Sequence, residues 1–259
     1  MTEDANDDWK RWHEHRVETV SAPYGPLALT GTHWIEDHPD GRLPGVPGTW
    51  AVDGDTVLLT ATAADGLALD GEPFAGAVRL AADREPSARV TRGERRLVVL
   101  VREGVWGVRD YDPAAPARRT FLGIDATPYD PRWSVPGRFT PYDGDRRTVR
   151  VDTADGVERA LVLAGELAFT LAGEDLTLQV AEQADGRLWA VFADASSGAG
   201  SYRFRFLYSA APGADGSTTV DFNQAQLPPC AFADHFICPF PPPGNRLGLA
   251  VEAGERTVA

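Results

Sequence analysis

The sequence lacks a basic surplus. It sets 25 Lys and Arg residues against 38 Asp and Glu, a formal net charge of −13. A duplex-binding domain needs a cationic footprint, so nucleic acid is not an expected partner. No apolar run reaches the roughly 18–20 residues that span a bilayer, and a membrane partner is not expected either. The opening stretch MTEDANDDWKRWHEHR has neither the basic start nor the apolar centre of a signal peptide. The expectation is a cytoplasmic protein whose thiols stay reduced. Lysine is scarce while arginine, alanine, glycine and aspartate are plentiful, a usage that fits a GC-rich bacterial genome.

Other absences concern chemistry. There is no G-x-x-x-x-G-K-[ST], no G-x-G-x-x-G after a strand, no G-x-S-x-G and no H-E-x-x-H. Nucleotide-dependent and common hydrolase mechanisms thus lack their usual signals, and no cofactor is expected. No 20–50-residue repeat is present, which argues against a propeller or solenoid.

What is present is a period of two. WAVDGDTVLL (50–59) sets Asp53-Gly54 between two β-rich runs, a hairpin signal. RRLVVLV and VWGVRDY make a second pair. LAFTLAGEDLTLQV alternates through Leu167, Phe169 and Leu171, turns at Gly173, and resumes with Leu176, Leu178 and Val180. Twelve to fourteen such short strands predict an all-β fold, an antiparallel sandwich or barrel-like domain. Before them, residues 8–20 place Trp9, Trp12 and Val17 near helical spacing. The expected organisation is a helical cap over 1–20 and a single antiparallel β domain over 21–259, with 37–48 as a surface loop.

Both cysteines lie in LPPCAFADHFICPFPPPGNRL (227–247), together with six prolines. Proline fixes φ, donates no ladder hydrogen bond and biases the preceding residue to extended backbone. The segment therefore reads as an irregular strap anchored by Phe232, Phe236 and Phe240, stiff enough to close one wall of a pocket. The Cys230-x4-His235-x2-Cys238 spacing matches no standard zinc knuckle, and no metal site is assigned. A disulfide, a nucleophilic thiolate and two buried apolar thiols remain the alternatives.

These residues resemble a known family. DFNQAQLPPCAFADHFICPFPPPGNRLGLAVEAGE (221–255) is similar to the C-terminal signature of the bacterial and archaeal family called domain of unknown function 1684. Asp221, Phe222, Asn223, Pro228, Pro229, Cys230, Cys238, Pro239, Asn245, Arg246, Leu247 and Glu255 match it. PLALTGTHWIE (26–36) resembles the family's opening segment, and RLWAVFADASSGAGSYRFRFLY (187–208) a second motif, so the likeness runs over roughly residues 9–256. Gln224, Leu227 and Gly244 stand where the family usually carries arginine, asparagine and glutamate. The resemblance implies no activity.

Several motif residues are polar beyond what a core needs. Arg109, Asp194, Tyr202, Arg205, Asp221, Asn223, Asn245 and Arg246 are the candidate ligand-binding residues. One reading makes them ion pairs and turn bonds that pin the strap to the sheet, such as Arg246 with Asp221 or Asp194. The other makes them a pocket for a small anionic or organic-acid metabolite, gripped by an arginine fork. Trp34, Trp106 and Trp133 are candidates for its mouth. Two further readings stand beside these: a cofactor-independent hydrolase or isomerase using Asp/Glu acid–base chemistry, and a structural or homo-oligomerisation module. No catalytic residue is assigned.

Overall fold

The structure, a computed structural model, describes residues 2–83, 87–144 and 146–259. Its contacts divide the chain into two compact units: the chain up to Val17 together with Leu122–Ala259, and Glu18–Phe121. The sequence reading drew one β domain over 21–259. The division falls just after DPAAPARRT (112–120), a proline- and alanine-rich stretch ending in a short helix, which the sequence reading did not take as a boundary. Among the described residues no helix is long and apolar enough to cross a membrane.

Helix α1 (Thr2–Ser21) extends the expected helix at its start. Among its described side chains, Ala5, Asn6, Trp9, Trp12, His13, Arg16, Val17, Val20 and Ser21 are buried or half-buried, the three- and four-residue spacing of one helical stripe.

In Glu18–Phe121 the strands are β1 (Leu29–Trp34), β2 (Thr49–Asp53), β3 (Thr56–Ala61), β4 (Ala68–Leu69), β5 (Glu72–Pro73), β6 (Gly76–Leu80), β7 (Val90–Arg92), β8 (Arg95–Arg102) and β9 (Val105–Tyr111), followed by the short helix α2 (Pro116–Thr120). They form an antiparallel sheet in the order β1-β9-β8-β7-β4-β5 and a second in the order β2-β3-β6. The Asp53-Gly54 hairpin forms as the sequence predicts, with Val52 opposite Val57. Trp50, Leu59, Leu80, Leu97, Val99 and Val108 make the core of this unit.

In Leu122–Ala259 the strands are β10 (Ile124–Ala126), β11 (Ser134–Pro141), β12 (Arg147–Asp152), β13 (Glu158–Leu163), β14 (Gly165–Leu171), β15 (Glu174–Glu182), β16 (Leu188–Phe192), β17 (Arg205–Ser209), β18 (Ser217–Asp221) and β19 (Glu255–Val258). A six-stranded antiparallel sheet runs β17-β16-β15-β14-β11-β18, beside the pairs β10-β19 and β12-β13. β14 shows the expected alternation, with Leu167, Phe169 and Leu171 buried and the residues between them exposed. Those side chains pack with Leu178, Val180, Phe192 and Phe222 into one core. The fold class is all-β and antiparallel, with the helix at its start.

The 227–247 segment contributes no ladder strand. It holds a single 3-10 turn at Pro229–Ala231 and touches the sheet through isolated bridges at Pro239 and Arg246. Phe232 is buried, while Phe236 and Phe240 are half-buried. It is a strap, as the prolines require.

Candidate functional site

Three loops of the Leu122–Ala259 unit meet at one place: 127–133 between β10 and β11, 194–202 between β16 and β17, and 251–254 leading into β19. Each is fixed from inside by a buried polar side chain. The first is held by Asn223, which is fully buried. Its Oδ1 accepts from the Asp130 backbone N–H at 3.0 Å, and its Nδ2 donates to the Asp130 carbonyl at 3.0 Å. One side-chain amide thus bonds a residue as a neighbouring strand would. Asp130 in turn caps the 3-10 turn Pro131–Trp133 by accepting from the Arg132 backbone N–H at 2.9 Å. Hydrogen bonds from Arg132 hold the Asp130 carboxyl below the usual carboxylate range.

The second and third loops are joined by Arg205. Its side chain is 1% exposed, and its Nη2 donates to Asp194 Oδ2 at 2.5 Å. The same nitrogen donates to the Val251 carbonyl at 2.9 Å, and Nη1 donates to that of Ala253 at 2.5 Å. Burial presses the guanidinium pKa below its ordinary value, and the Asp194 charge opposes that. The other Asp194 oxygen accepts from the Ser196 backbone N–H at 2.6 Å and closes the 194–202 turn. At Gly254 (φ +74°) a Cβ would lie 2.5 Å from the Ala225 carbonyl oxygen, so only glycine lets the third loop pass.

Between the loops lies a cleft of about 1100 Å³. Tyr129, Trp133, Leu171 and Val251 give it apolar walls, and Arg132, Ser196, Glu252 and Arg256 give it polar groups. Arg256 donates through Nε and Nη2 to the Gly200 carbonyl at 2.9 and 2.7 Å. Among the described residues it pairs with no carboxylate, whereas Arg132 is neutralised by Asp130 at 2.5 Å. Ser196 Oγ is 2.9 Å from Ser201 Oγ. Desolvation, then the charges of Asp221 and Asp130, push the Tyr129 hydroxyl pKa up.

None of the eight candidate residues read from the sequence lines this cleft. Asp194, Arg205 and Asn223 stand behind its loops and fix them. Asp221 accepts from the Asn223 backbone N–H at 3.1 Å and from its Nδ2 at 2.9 Å. Burial raises its pKa, with the Asn223 bonds opposing. Asn245 is fully buried. Its Oδ1 accepts from the Gln179 backbone N–H at 2.8 Å, and its Nδ2 donates to the carbonyls of Gln179 and Val191, each at 2.9 Å. It pins the strap to β15 and β16.

Arg246 is exposed, and the partner of Asp194 is Arg205 rather than Arg246. The reason is position: β17 carries Arg205 inward on a strand buried on both faces. Arg109 is buried in the Glu18–Phe121 unit, donating to Thr32 Oγ1 at 3.3 Å, and belongs to a different set of residues. The strap does not wall the cleft either. Trp133 alone of the three candidate mouth tryptophans lines it. Tyr129, Arg132, Ser196 and Arg256 were missed, although TPYDPRW (127–133) is visibly a stretch with two prolines, two aromatics and no alternation.

The two cysteines are buried and not bridged. The Cys230 backbone N–H donates to Cys238 Sγ at 3.3 Å. Tyr202 donates its hydroxyl to the Cys230 carbonyl at 3.1 Å, with Cys230 Sγ at 3.7 Å. Tyr202 therefore belongs to the thiols and not to the cleft. His235 is exposed, and among the described residues no group of three or more His, Cys, Asp or Glu side chains could hold a metal ion.

Fold and site together define an antiparallel β protein in which buried amides and one buried ion pair hold three loops around an open cleft. The chain belongs to the family described as protein of unknown function (DUF1684), whose model matches residues 119–256. The match stays within the segment that carries the cleft and the strap, and leaves PLALTGTHWIE (26–36) outside. Among solved structures, the chain is similar to the solution NMR structure of the uncharacterized protein from gene locus rrnAC0354 of Haloarcula marismortui. The two are 34% identical over 55% of this chain and 80% of that one, with a TM-score of 0.45. No curated protein matches the chain.

Proposed function

We propose that the Leu122–Ala259 unit binds a small organic acid in the cleft between the 127–133, 194–202 and 251–254 loops. The observation that carries this reading is Arg256, a guanidinium at the cleft held in place by the Gly200 carbonyl and paired with no carboxylate among the described residues. A fork so held offers its remaining N–H groups to a carboxylate. Trp133 and Tyr129 supply flat apolar surface for the rest of the molecule. Asp194, Arg205 and Asn223 act as the frame.

The test is a titration of aliphatic and aromatic carboxylic acids followed by Trp133 fluorescence, alongside native mass spectrometry of the purified protein for a retained acid. Saturable binding that Arg256→Ala abolishes is expected. Equal binding by Arg256→Ala, or none by the wild type, overturns the reading.

A second reading, acid–base catalysis, has one observation in its favour. Asp221 is a half-buried carboxylate whose pKa burial raises, beside a tyrosine that lines the cleft. It would act through Tyr129, since it does not reach the cleft itself. Turnover of a bound acid that Tyr129→Phe abolishes without changing affinity would favour it, and unchanged turnover would remove it.

A further inference from the structure

We propose that Cys230 and Cys238 are a hydroperoxide-reactive thiol pair, in which Cys230 is oxidised first and Cys238 closes a disulfide onto it. This rests on the strap and not on the cleft. A sulfur becomes a nucleophile where donors and positive charge surround it and a second thiol lies in reach. Cys230 meets each condition.

The Cys238 thiol donates to its sulfur, Tyr202 places a hydroxyl 3.7 Å from it, and the Arg203 guanidinium faces it. Arg203 is itself held over the Phe240 ring, 4.6 Å from the centroid. The Cys238 thiol hydrogen bond foremost, then Tyr202 and Arg203, hold the Cys230 pKa down to about 7 against an ordinary 9.0. Burial first, then the same contact with Cys230, pushes the Tyr202 hydroxyl up to about 12.

The backbone fixes the geometry. The 3-10 turn Pro229–Ala231 aims the Cys230 N–H at Cys238 Sγ, and the Cys238 carbonyl accepts from the Ala154 N–H at 2.9 Å. Both thiols are nearly enclosed, at 5% and 6% exposure. A small hydroperoxide suits such a site better than a bulky disulfide reagent. The Cys230 thiolate attacks the peroxide oxygen, the O–O bond breaks, and a sulfenic acid forms as hydroxide (or alkoxide) leaves and takes a proton from solvent. Cys238 then attacks the sulfenic sulfur, the S–S bond forms, and the hydroxyl leaves as water with the Cys238 proton. Two thiols lose two electrons, which the peroxide accepts.

The experiment treats the full chain with hydrogen peroxide and follows intact mass and peptide maps. The expected result is loss of two hydrogens, a single Cys230–Cys238 linked peptide, and recovery with dithiothreitol. Cys238→Ser should accumulate a sulfenic acid at Cys230 that a 1,3-dione traps, while Cys230→Ser leaves Cys238 unmodified over the same time. A readout that needs no cysteine variant is the pH profile of Cys230 alkylation in the wild type. Its midpoint should fall near 7 and rise in Tyr202→Phe. Independent oxidation of the two sulfurs, or a midpoint at the ordinary thiol value, overturns the proposal.

Discussion

The two units keep their interiors by different means. Among the described residues of Glu18–Phe121 the buried polar or charged side chains are Arg109 and Asp110, and hydrocarbon supplies the rest of the core. Among the described residues of Leu122–Ala259 there are eight: Thr153, Asp194, Ser201, Arg205, Ser209, Asn223, Asn245 and Glu255. Hydrocarbon cores tolerate exchange of similar volumes. A buried amide or ion pair must meet particular partners or leave them unsatisfied. The unit with the polar interior is also the one with loops and a strap to hold in place, and the one that the family pattern covers. Polar burial here marks where irregular backbone has to be fixed.

The sharpest way to break this contrast is Arg205→Met, which leaves Asp194 buried without its cation. Loss of about 3–5 kcal/mol is expected in urea unfolding, with part recovered by adding Asp194→Asn. An unchanged midpoint would mean that the ion pair does not frame the loops. Next comes Asn245→Ala, which strands the Gln179 N–H and two carbonyls. The expected cost is about 1–3 kcal/mol for each group that water cannot reach. Leu97→Ala in the other unit should cost about 2–5 kcal/mol through its cavity, but leave ligand binding and thiol reactivity as they were. If Arg205→Met and Leu97→Ala disturb the cleft equally, the distinction between the two interiors fails.

Smaller effects are expected at the surfaces those frames support. Trp133→Ala should weaken acid binding by up to about tenfold, the scale of one lost aromatic contact of roughly 0.5–1.5 kcal/mol, with little change in melting temperature. Smallest is a pH effect. The folded Cys230 pKa, about 7, lies below the ordinary 9.0. The stability it contributes is therefore complete above pH 9 and is lost as pH falls through 7. Tyr202→Phe should flatten that slope, as read by unfolding midpoints between pH 7 and 9.

Strands were readable wherever one face is buried, because burial writes a period of two into the sequence: Leu167, Phe169 and Leu171 are the plainest case. Proline gave the strap just as directly. Pairing of polar side chains was not readable in the same way. Asp194 finds Arg205 because a turn closes between them and β17 is covered on both faces. From the chain alone, Arg246 is an equally good partner. The cleft was hidden for a related reason. Its walls come from 127–133, 196–200 and 251–256, and only the fold brings these together. Three of the residues singled out as ligands, Asp194, Arg205 and Asn223, hold those walls instead, since a frame and a site draw on the same polar residue types.

Glu255 carries one more consequence. Its carboxylate is 0% exposed and accepts from Arg16 Nε at 2.7 Å and from the Leu227 N–H at 2.6 Å. Trp9 Nε1, on the same helix, donates to the Asn223 carbonyl at 2.8 Å. The recognisable segment, 119–256, thus borrows its counter-charge from residues more than a hundred positions upstream. A fragment cut to that segment would expose an indole-shaped gap and strand an anion. The boundary by which kinship is detected and the boundary of an autonomous folding piece are, in this chain, different lines.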